Sequence, residues 1–136
     1  MSADAKIQAI LASSGFSSKL AKMISVEEAG ALWKLSPTAE LVGNPLAQAL
    51  HGGAITAFLE LACSAVLSHR LDRNCLPQLI SINVQFLAPM RLAPVTARPN
   101  LRRIGRRVAV AHVDAWQDSP DTIVCAAQCE FLCEFA

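Results

Sequence analysis

The run His51-Gly52-Gly53 followed by AITAFLELACSAVLSHRL, residues 54–71, constrains this chain more than any other stretch. It holds no glycine or proline after Gly53 and is too long for an ordinary strand, so the pattern predicts a helix of about five turns. From Ala54 to Leu67 that helix is apolar nearly all round, which implies burial on every side. His69 and Arg70 fall in its last turn, where cations complement the helix dipole. Glu60, set between Leu59 and Leu61, breaks the pattern.

Such a helix has two possible homes. The window 49–68 is nearly long enough to span a bilayer. A glycine pair at its start, a carboxylate at its centre and the lack of aromatic or basic flanks speak against a span, because a central charge is costly in lipid. The other home is against a sheet, and the downstream chain supplies one. LISINVQFL (79–87) alternates, with Ile80, Ile82, Val84 and Phe86 on one face and Ser81, Asn83 and Gln85 on the other; Ala88-Pro89 ends it. Residues 91–104, carrying Pro94 and Pro99, read as a strand of edge or bulge character. Residues 106–117 and 121–134 read as two more strands joined by the turn Asp118-Ser119-Pro120. In the last of them Cys125, Ala127, Cys129, Phe131 and Cys133 share a face.

Upstream, residues 3–12 read as a short amphipathic helix within an N-terminal helical segment, 1–22. MISVEE and ALWKLS, within 23–36, read as two extended segments bent at Ala29-Gly30 and closed by Ser36-Pro37. A loop with Gly43, Asn44 and Pro45 leads to the long helix. The expected fold is α+β: one domain over 1–136, with a long antiparallel sheet wrapped around one central helix.

Composition adds an expectation about partners. Of the 136 residues 53% are hydrophobic and only 17% are charged, below the roughly 25% typical of soluble domains. A chain this small hides so much apolar surface by associating with itself or by touching a membrane. With the span disfavoured, a homodimer or a tetramer of two dimers is expected. The formal net charge of +1 argues against a general nucleic-acid binder. Five cysteines without a secretory leader point to reduced thiols in the cytoplasm, and no CxxC pair suggests a metal site.

Glu60 is the residue with chemistry to explain. A carboxylate in such a helix lies on a solvated stripe, bonds a neighbouring group, or is held with a raised pKa that suits base or nucleophile work. The Gly52-Gly53 helix start offers a second element. The first N–H groups of a helix have no internal partner, and glycine lets a carbonyl oxygen approach them closely, as an oxyanion hole for acyl transfer requires. From Gly53 to Glu60 is seven residues, roughly 10 Å at about 1.5 Å per residue. One thioester carbon cannot easily contact both within a chain, so a shared reaction would draw the carboxylate from a second subunit packed antiparallel.

Taken in order, His51-Gly52-Gly53, Phe58, Glu60, the strand ending FLAP (86–89) and Gly105-Arg106-Arg107 resemble the hotdog-fold acyl-CoA thioesterases of the phenylacetate-pathway type, in the superfamily of 4-hydroxybenzoyl-CoA thioesterase. The resemblance covers roughly residues 23 to 134. It implies that the Gly53 N–H polarises the thioester carbonyl and that His51 shapes the loop. It also implies that the acid at position 60, from the facing subunit, acts as nucleophile or as general base on water, without metal or prosthetic group; CoA enters only as part of the substrate.

The chain departs from that pattern in three places. The usual acid is Asp, and here it is Glu60, as in some 4-hydroxybenzoyl-CoA thioesterases. The family often has Asn six residues before the His and Gly three before it; here those positions hold Pro45 and Gln48, and Asn44 lies seven before. Asn44 and Gln48 are both candidates to orient water or the carbonyl. A Ser or Thr common ten residues before the strand-ending proline is Leu79 here, with Ser81 two positions on.

Arg98, Arg102, Arg103, Arg106 and Arg107 place five of the twelve basic residues within ten positions. They form either a solvated turn or a clamp for the CoA phosphates, for which Arg106 and Arg107 beside the glycine are the candidates. Without interleaved aromatics the cluster does not read as RNA-binding. His112 and Asp114 share a strand face but lack a third ligand, and Trp116 on that face suggests packing or subunit contact. The expected activity is hydrolysis of an acyl or aryl thioester at a dimer interface; the alternative is a catalytically silent hotdog module that binds acyl-CoA or serves in assembly.

Overall fold

The computed structural model describes residues 1–13 and 15–133. Ser14 of the N-terminal segment and Glu134 of the last expected strand lie outside the described residues, as do the final two residues. The chain opens with α1 (Ala3–Ala12), capped by the Ser2 hydroxyl, which accepts from the Ala5 N–H at 3.1 Å. A second short helix, α2 (Gly15–Ala21), falls within the expected segment. Strands β1 (Ile24–Glu27) and β2 (Leu32–Leu35) form the bent pair. The bend is sharp because Glu28, Ala29 and Gly30 all take positive φ, of 55°, 56° and 89°. A side chain on Gly30 would also meet Ile7 Cδ1 at 2.7 Å. Asp4 on α1 accepts from the Gly30 N–H, and the Gly30 carbonyl accepts from Trp33 Nε1, so this turn ties helix to sheet.

A small hairpin follows, β3 (Val42–Asn44) with β4 (Ala49–Leu50), where the residue pattern predicts a loop. Then come α3 (Gly52–Arg70), β5 (Gln78–Phe86), β6 (Val95–Ile104), β7 (Val108–Trp116) and β8 (Cys125–Leu132). Six strands make one antiparallel sheet in the order β1-β2-β6-β7-β8-β5, packed against α3. This is the expected α+β hotdog arrangement. The sheet face toward α3 carries Ala97, Ala109, Ala111, Val113, Ala115, Cys125, Ala127, Cys129 and Phe131, all buried. Small residues there let the helix sit close, while Phe58, Leu59 and Leu67 fill the space from the helix side. Burying each of these larger side chains is worth about 1.5–3 kcal/mol.

The edge or bulge character expected of residues 91–104 is present even though β6 lies between β2 and β7, whereas two other expectations need correction. Pro99 is tolerated because β2 pairs only with Val95–Ala97, leaving that side of Pro99 without a neighbouring strand. A bulge follows between Leu101 and Arg103. The alternation of β5 breaks at a bulge between Leu79 and Ser81, so Ile80 is not on the core face with Ile82 and Val84; it is 51% exposed, and Phe86 at the strand end is 50% exposed. Finally, α3 is not buried on every side. Gly53 is exposed, and Thr56, Ala57 and Glu60 are only half-buried, leaving one stripe of the helix open. On length and composition α3 would pass as a membrane span, yet 56% of its apolar window is buried inside the fold.

Candidate active site

His51 is the N-cap of α3. Its extended backbone turns the chain from the β3–β4 hairpin into the helix, and its N–H donates to the Leu41 carbonyl at 2.7 Å. The side chain caps as well: the Gly53 N–H donates to His51 Nδ1 at 2.9 Å. Gly53, expected to present a free donor, therefore has it occupied from within the chain. The Leu50 N–H donates to the Met90 carbonyl at 2.7 Å, which fixes the hairpin beside the segment after β5.

Glu60 lies two turns further along the same side of α3. Among the described residues its carboxylate has no hydrogen-bond or ion-pair partner. Burial raises its pKa above the ordinary 4.5. One turn on, hydrogen bonding with Cys129 and burial hold the Cys63 thiol well above its usual range, with the charges of Cys129 and Glu60 adding to the effect. Burial likewise pushes Cys125 up to about 11. All five cysteines are unpaired, and the raised pKa of the buried Cys63 and Cys125 favours the thiol over the thiolate that a nucleophile needs.

Beside the helix start is a groove of about 400 Å³ lined by Leu50, Gly52, Phe86, Leu87, Pro89 and Met90, among others. A side chain on Gly52 would stand 3.3 Å from Phe86 Cζ, so the aromatic ring packs directly on the first turn. Neither this contact nor the role of Gly43 was foreseen. A Cβ on Gly43 would fall 2.9 Å from His51 Cα, a constraint that the sequence signalled only as a glycine in a loop.

The remaining candidates are distributed unevenly. Asn44 Oδ1 accepts from the N–H groups of Leu46 and Ala47, and Gln48 Nε2 donates to the Pro45 carbonyl, so both side chains serve their own turn. Ser81 pairs with Glu130 on the sheet face away from α3, and the structure does not bring it to Glu60 within the chain. Leu79, paired with buried Phe131, faces the helix instead. Arg106 and Arg107 are exposed at the tip of the β6–β7 hairpin. That tip is at the end of the sheet where Gln78 pairs with Leu132 and Leu132 with Val108. Phe86 and the helix start lie at the other end, roughly 26 Å away at about 3.3 Å per strand residue.

On the outer sheet face Arg98 stacks over Trp116, with Cζ 5.6 Å from the ring centroid. His112 Nε2 donates to Gln128 Oε1 at 2.6 Å, which occupies one of the paired residues considered as ligands. Among the described residues no group of three or more His, Cys, Asp or Glu could hold a metal ion.

The family model described as thioesterase superfamily matches residues 47–124, which include the helix start, Glu60 and the groove. No curated protein matches the chain. Among solved structures it is similar to thioesterase superfamily member 2 from Mus musculus, with a TM-score of 0.80 at 12% identity, covering 98% of this chain and 99% of that one. A phenylacetic acid degradation-related protein from Ralstonia eutropha gives a TM-score of 0.74 at 19% identity, over 93% and 98% of the two chains. A thioesterase from Haemophilus influenzae gives 0.74 at 24% identity, over 91% and 85%. At such identities the likeness is one of fold.

Proposed function

The chain belongs to the thioesterase superfamily, and we propose that it hydrolyses an acyl-CoA to the free acid and CoA at an interface between two copies of itself. The observation that carries this reading is the open stripe of α3, with the Gly53 donor at one end and an unpartnered, half-buried carboxylate at Glu60. The two are roughly 10 Å apart on one helix. Two such helices laid antiparallel would bring the Glu60 of one copy to the Gly53 of the other. The thioester carbonyl accepts from the Gly53 N–H, and the ionised carboxylate takes a proton from the water that attacks the carbonyl carbon. The C–S bond of the tetrahedral intermediate then breaks, and the CoA thiolate takes up the proton.

The sheet supports the same dimer. β5 is a terminal strand of nine residues whose free side pairs with no strand among the described residues, and Ile80, Phe86 and Leu87 are exposed on it or just after it. Long apolar edges of this kind pair with another strand. Antiparallel pairing of two β5 edges would set the Arg106–Arg107 tip of one copy on the same side as the helix start of the other. There the guanidinium groups would meet the phosphates of a CoA whose thioester lies at Gly53. The apolar groove at Leu50, Phe86 and Met90 suits the acyl portion.

The internal bonds of Gly53, Asn44 and Gln48 favour a second reading, a hotdog module that binds acyl-CoA without hydrolysing it. Thioester hydrolysis followed with a thiol reagent separates the two. Wild type should hydrolyse members of an acyl-CoA panel and Glu60→Gln should not; equal rates in both would overturn the role given to Glu60.

A further inference from the structure

We propose that His51 is a displaceable cap: its imidazole holds the Gly53 N–H in the free protein and yields that donor to the substrate carbonyl. The inference rests on the acyl-thioester reading above and concerns how that site opens. Gly53 is the second residue of α3, so its N–H has no partner within the helix. His51 Nδ1 accepts from it at 2.9 Å. A single N–H serves one acceptor well, so a thioester oxygen can be recognised there only by replacing the imidazole.

The surroundings are shaped for this contact. A Cβ on Gly53 would lie 3.0 Å from both His51 Nδ1 and Cε1. A Cβ on Gly43 would lie 2.9 Å from His51 Cα and 3.0 Å from its Cβ and Cδ2. Two missing side chains thus make the slot in which the ring sits against its own helix. The backbone of His51 is pinned separately, through its N–H to the Leu41 carbonyl at 2.7 Å. Residue 51 is exposed, so the ring can swing into solvent while the loop keeps its path.

Substrate recognition at Gly53 is then an exchange of one neutral hydrogen bond for another. Breaking the cap opposes the bound ground state and the transition state equally, so it acts on KM and not on kcat. His51 is a positioning residue under this scheme, and removing its ring should improve KM. A purely structural His51 would give the opposite sign.

The test uses the full-length protein and two CoA derivatives. One is the ketone analogue of hexanoyl-CoA, with CH2 in place of sulfur; the other is hexyl-CoA, a thioether with no carbonyl. Measured in the Glu60→Gln background, where turnover does not interfere, the ratio of ketone to thioether affinity should rise about fivefold on His51→Ala, the worth of one neutral hydrogen bond. His51→Leu, which keeps bulk but cannot accept, should do the same if the alanine variant folds poorly. His51→Asn, a good N-cap, should return the ratio toward wild type. With hexanoyl-CoA and Glu60 intact, His51→Ala should lower KM by the same factor and leave kcat unchanged. Amide exchange at Gly53 should speed up in the alanine and leucine variants. An unchanged or lowered ratio, or unchanged Gly53 exchange, overturns the displaceable cap; unchanged hydrolysis in Glu60→Gln overturns the catalytic reading instead.

Discussion

Gly53 and Glu60 face the same way from α3, seven residues apart, while Ile55, Phe58, Leu59 and Ala62 between and beyond them point into the core. Seven residues is close to two full turns, so the stripe that carries both is the one the sheet does not cover. Because the helix is continuous, no rearrangement within one chain brings the carboxylate to the donor. The chemistry expected of the pair therefore requires a second helix.

Replacing Glu60 by Gln should reduce kcat for acyl-CoA hydrolysis by about 10²–10⁴-fold, the usual contribution of a general base. Thiol release from a panel of acyl-CoA substrates checks this. A rate that rises with pH through a value above 4.5 in wild type, and is flat in the variant, would identify the ionised carboxylate as the active form.

The same substitution should stabilise the fold. Burial raises the Glu60 pKa, so the folded state binds its proton more tightly than the unfolded chain does. Stability is then lost as pH rises from the unfolded pKa through the folded one. Above that window wild type carries the cost of a desolvated charge, and Gln does not. Thermal unfolding should give Glu60→Gln a higher Tm at pH 7, with the gap closing as pH falls below about 4.5.

Much of this was legible from residue order because strong patterns carried it: helical burial around Phe58 and Leu59, alternation through Ile82 and Val84, and alternate small residues from Cys125 to Phe131. What escaped depends on contacts remote in sequence. The bulge at Ile80 is imposed by pairing Leu79 with Phe131 and Ser81 with Glu130. Pro99 signals a locally unpaired side, but that this side belongs to an interior strand follows from β2 stopping short of it, which nothing local reveals. At the candidate site the Gly-Gly helix start and Glu60 were visible, since each violates its surroundings. That His51 would turn back onto Gly53, in a slot left by Gly43, was not visible, because a glycine in a loop shows only freedom and not what fills the space.

Arg106 and Arg107 can be tested without assuming which acyl group is bound. Replacing both by Ala should raise KM for an acyl-CoA about tenfold and flatten its dependence on salt, because these exposed groups would act by attracting phosphate. The matching acyl-pantetheine, which lacks the nucleotide, should be hydrolysed equally by wild type and variant. Equal loss on both substrates would place the arginines elsewhere than at the phosphates.

Phe86 packs on the first turn of α3 and lines the apolar groove. Truncating it to Ala should enlarge the groove and move the preferred acyl group to a longer or bulkier one, with kcat/KM shifting by roughly 10-fold between the old and new optimum. A chain-length series from acetyl-CoA to dodecanoyl-CoA, with benzoyl-CoA included, reads the shift. An unaltered profile would remove the groove from substrate selection.

A site shared between two chains, as proposed, makes a prediction that no single-chain site can meet. Gly53→Pro removes the backbone donor in the first turn of α3, its ring displacing the His51 imidazole that lies 3.0 Å from the Cβ position, and Glu60→Gln removes the base. Each variant alone should be inactive. Mixed in equal amounts and allowed to exchange subunits, half of the dimers become mixed, and each of those holds one site with both groups intact. Activity should therefore recover to about a quarter of wild type by the statistics of a symmetric dimer. Ile80→Asp, which places a charge on the exposed position of the β5 edge, should weaken the dimer in sedimentation equilibrium and abolish the recovery. If the mixture stays inactive while its subunits exchange, Gly53 and Glu60 do not meet across the interface.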